Sequence, residues 1–284
     1  MTHPVDDLAH LAVAKHFPDQ TPYRSISFDR LRTMLATSGL DGRNLEITAL
    51  EHGIVPERYA RNMRSFTPAD QAALLRAQVG VIGLGGLGGA VTEVLARIGV
   101  GRLVLADGDF FEESNLNRQL LSTVERMGFP KADAARERVA QVNPSVAVAA
   151  HQQVVTAENA DTLFRGCAVV VDCLDNLPSR FMIEDACRRI GCPLVSAAVA
   201  GASGHVTTVF PEDRGLRLIY GEPRDLPAKG AETALGTLPH AVVFLATLEC
   251  AEVVKIILKK GRLLRNQLLV ADLSDAVVEV MKLG

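Results

Sequence analysis

Residues 79–88 read Val79-Gly-Val-Ile-Gly83-Leu-Gly85-Gly-Leu-Gly88, and this stretch decides the fold. Val79–Ile82 is a short apolar strand running directly into Gly83-x-Gly85-x-x-Gly88. The first glycine permits a tight turn, the second lets a phosphate approach the backbone, and the third lets a helix pack on the strand. Free amides at the start of the helix that reaches Ile98 then face an anion. Leu103–Ala106 forms a second strand, and Asp107 closes it, where a carboxylate can hold ribose hydroxyls.

Outward from this turn, helices and strands alternate. Lys131–Val142 is a helix stopped by Asn143-Pro144, and Pro178–Arg189 is another. Strands follow at Val146–Ala149, Ala168–Val171 and Leu194–Ala197. This spacing predicts an α/β fold: a Rossmann-like, mainly parallel sheet with helices on both faces. Past Gly204 come a strand at Val206–Phe210, a loop over 211–236, and a long apolar helix at Pro239–Lys260. C-terminal antiparallel strands are expected near Leu268–Val270 and Val277–Met281. Residues 1–56 read as a small helical extension, with helices at Leu8–Phe17, Phe28–Ser38 and Leu45–His52. The chain thus divides into 1–56 and a larger unit at 57–284.

The 284 residues are 48% hydrophobic and 22% charged, an ordinary globular balance. A net charge of −3 gives no electrostatic reason to expect nucleic acid as a partner. Five cysteines without a C-x-x-C pair indicate neither a disulfide framework nor a zinc site. The N-terminus lacks a basic-then-apolar signal pattern, and no apolar run approaches the roughly 20 residues that span a bilayer. The expectation is a cytoplasmic protein with no membrane partner.

The choice of nucleotide depends on the residues beyond the glycine turn. A dehydrogenase needs a hydride pocket and a later catalytic His, Lys or Tyr, which nothing here announces. Arg118 and Lys131 instead lie just beyond the second strand, and a triphosphate needs such cations to neutralise its charge. Asn115 and Gln119 could hold sugar or phosphate oxygens. Asp172-Cys-Leu-Asp175-Asn176 closes the fourth strand, beside the crevice where such sheets bind ligands. A carboxylate there can carry a magnesium ion that bridges phosphates. Asp172 or Asp175 could equally cap the helix that Pro178 begins.

Collected together, Arg58-Tyr-Ala-Arg61-Asn, Gly83-Leu-Gly-Gly-Leu-Gly88, Asp107-x-Asp109, Ser114-Asn-Leu-Asn-Arg-Gln119, Gly128-x-x-Lys131, Val142-Asn-Pro144 and Asp172-x-x-Asp175-Asn176 resemble the ThiF/MoeB/HesA family, bacterial relatives of ubiquitin-activating enzymes. The resemblance covers roughly Arg58 to the C-terminus, and it implies that 57–284 is an ATP-binding adenylation domain. The implied reaction is ATP-dependent adenylation of the C-terminal glycine carboxylate of a small ubiquitin-like or sulfur-carrier protein with a Gly-Gly tail, releasing pyrophosphate. By this resemblance Asp107 holds the ribose, while Asn115, Arg118, Gln119 and Lys131 hold phosphates, and Asp175 holds Mg2+. Gly83, Gly85, Gly86, Gly88, Asp109, Ser114 and Asn176 complete the nucleotide-binding set. Arg61 matches the arginine that reaches into a neighbouring subunit's site, which implies a homodimer. The loop at 211–236 and the sheet face would receive the carrier's tail.

Departures from the family pattern also count. Many members hold zinc with two C-x-x-C pairs in their last third; here Leu218-Ile-Tyr-Gly221 stands where the first would fall, and no zinc is expected. Residues 193–249 contain no cysteine, and Cys173 and Cys250 read as small core residues, so the chemistry is expected to stop at the adenylate. Two alternatives remain open on sequence. One is a carboxylate activation like that of tRNA threonylcarbamoyladenosine dehydratases, which the acidic balance mildly disfavours. The other is a nucleotide-binding scaffold without catalysis.

Overall fold

The computed structural model describes residues 4–222 and 232–284. Its N-terminal part is not purely helical, contrary to the sequence expectation. Helix α1 (Pro4–Leu11) gives way to strand β1 (Val13–His16), which pairs antiparallel with β2 (Pro22–Ile26). Helices α2 (Phe28–Ser38) and α3 (Gly42–Glu51) follow, each started by a side-chain cap, Ser27 and Asp41. Strand β3 (Ile54–Pro56) then pairs parallel with β2. The helix expected to reach Phe17 stops at Leu11 because Val13–His16 finds a ladder partner, a pairing that local periodicity cannot reveal. Leu8, Ile26, Leu31, Leu45 and Ile54 form a small core of their own.

A 3-10 helix at Glu57–Arg64 and α4 (Pro68–Arg76) lead into the main sheet. Its units are β4 (Gln78–Ile82), α5 (Gly86–Ile98), β5 (Arg102–Ala106), α6 (Lys131–Val142) and β6 (Ala147–His151). They continue with α7 (Ala160–Phe164), β7 (Val169–Asp172), α8 (Leu177–Ile190) and β8 (Leu194–Ala200). These five strands are parallel in the order β6-β5-β4-β7-β8. The chain reverses direction across the sheet between β4 and β7, so a switch-point crevice opens at their carboxyl ends. Strand β9 (Ser203–Val209) turns back antiparallel on β8. The predicted loop contains short helices α9 (Arg217–Tyr220) and α10 (Glu232–Leu235). Helix α11 (Pro239–Leu258), β10 (Gln267–Asp272) and β11 (Val277–Lys282) complete the fold, the last two strands antiparallel as expected.

Both faces of the central strands β4, β5 and β7 are buried, which explains their near-continuous apolar runs, whereas β11 at the edge is exposed. Odd positions of the central strands, such as Val79, Leu103 and Val169, pack beneath α5, α6 and α11. Even positions, such as Ile82, Val104 and Val170, face α7 and α8. Among the described residues no helix is long and apolar enough to cross a membrane.

Candidate nucleotide-binding cleft

A cleft of about 1240 Å³ opens over the carboxyl ends of β4, β5, β7 and β8. Its first wall is the glycine turn. Gly83 holds a φ of +82°, and a Cβ there would stand 2.8 Å from the Cys173 carbonyl oxygen. A Cβ on Gly88 would overlap the Gly83 carbonyl oxygen, so only glycine lets α5 start so close to β4. Gly85 and Gly86 line the opening at the head of α5, where amides and the helix dipole favour an anion.

Asp107 braces that turn. Its carboxylate accepts the Leu84 amide at 2.6 Å and the Asp109 amide at 2.7 Å, while burial raises its pKa above the usual carboxylate value. Lys131, the first residue of α6, is buried, and its Nζ donates to Asp109 Oδ2 at 3.0 Å. Arg118 lines the cleft with its guanidinium turned onto Ser114 O and Asn117 Oδ1. Gln119 is also buried in this wall, and its Oε1 has no hydrogen-bond partner among the described residues. A buried orphan acceptor is costly, so it marks a place where a donor is missing.

Asn115 departs from its expected place. It is not among the residues that line the cleft; its Oδ1 accepts the Glu112 amide and closes a local capping box. Beside Gln119, the cleft-lining amide of this segment belongs to Asn117, which sequence reasoning does not single out.

At the end of β7, Asp172 is fully buried and belongs to structure rather than to a ligand. Arg180 Nη1 donates to its Oδ2 at 3.0 Å, Ser196 Oγ to the same oxygen at 2.6 Å, and the Leu174 amide to Oδ1 at 3.0 Å. Arg180 also donates to the carbonyls of Ala197 and Leu174. This knot fixes the turn that presents Asp175, an exposed carboxylate in the cleft wall. The helix cap of α8 is neither aspartate: Asn176 Oδ1 accepts the Ser179 amide at 2.9 Å. Asn176 Nδ2 meanwhile donates to Asp175 Oδ1 at 3.2 Å.

The far half of the cleft is lined by Ala198–Ala200, Ser203–His205, Tyr220 and Leu235–Thr237. His205 Nε2 lies 2.8 Å from Tyr220 Oη, and burial with Arg180 nearby depresses its pKa to about 4. Sequence reasoning misses this pair, because its members come from β9 and α9 and meet only through the fold. Cys173 also lines the cleft, so it is not simply a core residue; Cys250 is buried. Burial beside Glu249 pushes the Cys173 thiol well above its ordinary pKa, which keeps it from being a ready nucleophile. Of the segment expected to receive a carrier tail, 223–231 lies outside the described residues.

Arg61 sits on the 3-10 helix and is exposed. It is not among the residues lining the cleft of its own chain.

Glycine turn, switch-point crevice and inward-facing cations together define a mononucleotide-binding α/β protein. The chain matches the ThiF family over residues 59–284 and belongs to that family. It is 36% identical over 230 residues to the SAMP-activating enzyme E1 of Haloferax volcanii, covering 79% of this chain and 84% of that protein. The sulfur carrier protein adenylyltransferase of Thermus thermophilus is 36% identical over 231 residues, covering 78% and 84%. In fold, the chain is like E. coli MccB determined with ATP: TM-score 0.70 at 20% identity, covering 99% of this chain and 86% of that one. That last likeness extends through the N-terminal part.

Proposed function

We propose that the protein is an ATP-dependent adenylyltransferase acting on the C-terminal glycine carboxylate of a small ubiquitin-like sulfur carrier. The observation that carries this reading is the first half of the cleft. There Lys131 and Arg118 stand beside the head of α5, and the orphaned Gln119 oxygen awaits a donor such as a nucleotide's hydroxyl or amino group, beside relatives named as an activating E1 and a sulfur carrier adenylyltransferase.

In this reading the triphosphate lies against the Gly83–Gly88 turn and the ribose lies beside Asp107. A carboxylate oxygen of the carrier attacks the α-phosphorus, and the bond to the bridging oxygen of pyrophosphate breaks. No proton need be removed from the nucleophile, so the site works through placement and charge. Lys131 and Arg118 offset the charge that builds on the leaving pyrophosphate, and the α5 amides hold the phosphates still. Among the described residues no group of three His, Cys, Asp or Glu is gathered for a metal. Asp175 alone fits Mg2+, which is commonly held by one or two carboxylates together with substrate phosphates. Bound there, the ion would supply further charge neutralisation. Ser114, Asp109 and Asn176 then support the turn rather than contact the reacting atoms.

Arg61 belongs in this scheme only if a second copy brings it to the cleft, which is the ground for a homodimer. The cytoplasm, with its ATP pool, is the proposed place of work. The deciding experiment is ATP–pyrophosphate exchange with and without a purified carrier ending in Gly-Gly. Carrier-dependent exchange that fails when the terminal glycine is removed is expected. Exchange equally fast without any carrier would overturn the assignment of substrate.

A further inference from the structure

A second cavity, of about 610 Å³, opens at the opposite end of the sheet, where β4 and β5 begin. Its volume lies within the roughly 300–1,000 Å³ typical of small-molecule sites. The walls come from both parts of the chain: Arg43 and Thr48 on α3, Arg76 at the end of α4, and Arg102 at the start of β5. Three arginines thus face one hollow, and no aspartate or glutamate is among the residues lining it. That is unexpected in a chain whose net charge is −3.

The arginines differ in how well their charge is met. Arg76 pairs with Glu51. Arg43 lies 4.0 Å from Asp41, at the limit of an ion pair, and its stem crosses over Gly101, where a Cβ would stand 2.9 Å from Arg43 Cδ. Arg102 is exposed, acts on the Cys167 thiol, and has no carboxylate partner among the described residues. Arg76 and Arg102 are exposed, so water softens their mutual repulsion, but the fork geometry of guanidinium groups around one hollow suits phosphate oxygens.

We propose that this hollow is a second anion site, for a small phosphate-bearing molecule held by Arg43 and Arg102 at the junction of the N-terminal part with the main sheet. It stands apart from the nucleotide cleft and does not depend on the adenylation reading. Its occupant would bridge α3 to β4 and β5, whose other ends carry Gly83 and Asp107.

Isothermal titration of the full chain tests this, using pyrophosphate in one arm and ribose 5-phosphate in the other, at low salt. The expected result is a saturable site that persists in Lys131→Ala and weakens with rising salt. Arg43→Ala/Arg102→Ala should weaken it at least ~10-fold, as loss of charge-assisted bonds implies, while ATP affinity stays unchanged. Thr48→Glu, which adds a carboxylate without removing an arginine, should do the same in a fully folded chain. Preference for pyrophosphate identifies an inorganic anion; comparable binding of both identifies a phosphate ester. Absence of any site beyond the one lost in Lys131→Ala, or survival of the site in both hollow variants, overturns the proposal.

Discussion

The two halves of the cleft are built by different means. The half around Gly83–Asp109 is made by backbone: a positive φ, glycines that admit neighbours, and amides braced by Asp107. The half around Ala198–His205 and Tyr220 is made by half-buried side chains that meet across the fold, with the buried Asp172, Arg180 and Ser196 knotted beneath it. Backbone requirements leave a mark in consecutive residues. Cross-fold polar contacts leave none. In the proposed reading the first half holds the phosphates and the second meets the acyl group.

If that contrast holds, damage to the second half should first appear as instability. Asp172→Ala would leave the buried Arg180 guanidinium without its counter-charge. Breaking a buried pair in this way costs about 3–5 kcal/mol. Urea denaturation should show the loss, and adding Arg180→Met should recover part of it. A loss below about 1 kcal/mol in the single variant would mean the knot is looser than its geometry indicates.

Damage to the first half should appear as lost turnover with the fold intact. Lys131→Ala removes a cation whose side chain is only 8% exposed, while its partner Asp109 is 73% exposed and easily rehydrated. Pyrophosphate exchange should fall about 10²–10³-fold, the usual cost of deleting one preorganised charge donor. The melting temperature should barely move. Equal loss of stability and activity would erase the distinction between the halves.

The second half should also respond to acid. The folded-state pKa of His205 is depressed from 6.5 to about 4. Between those values the unfolded chain binds a proton that the folded chain refuses, so stability is full above pH 6.5 and declines as pH falls toward 4. The size of the shift corresponds to about 3 kcal/mol. Melting curves from pH 7 to 4 should show this decline in the native chain and a smaller one in His205→Gln. Parallel curves for the two would show that His205 is hydrated in solution.

The same contrast governs what the sequence discloses. The mainly parallel sheet, the glycine turn and the placing of Asp107, Arg118 and Lys131 beside one cleft are readable because they follow from local spacing around the strand ends, whereas the order of the strands is not. Arg180 is not, because nothing eight residues downstream of Asp172 marks it as that residue's partner. His205 and Tyr220 are hidden for the same reason. Strand β1 escapes a sequence reading because pairing with β2 overrides a weak helical pattern. Asn115 differs in kind: it is a capping residue inside a functional motif, so it reads as a ligand, and only the structure shows its Oδ1 turned onto the Glu112 amide.

Asn176 offers the smallest test and the finest one, since it lies in the cleft wall while its Oδ1 caps α8. Loss of such a cap costs about 1 kcal/mol, so Asn176→Ala should lower stability by that amount. Asn176→Asp keeps an acceptor for the Ser179 amide and adds a charge favoured at a helix start, so it should restore most of the loss. Both variants remove the Nδ2 donor to Asp175, an exposed contact worth under about 1 kcal/mol. KM for ATP should accordingly stay within about threefold of the native value in each. If KM rises tenfold in both while stability recovers in the aspartate variant, Asn176 contacts the nucleotide directly. The motif residue would then serve the phosphate half as well as its own helix.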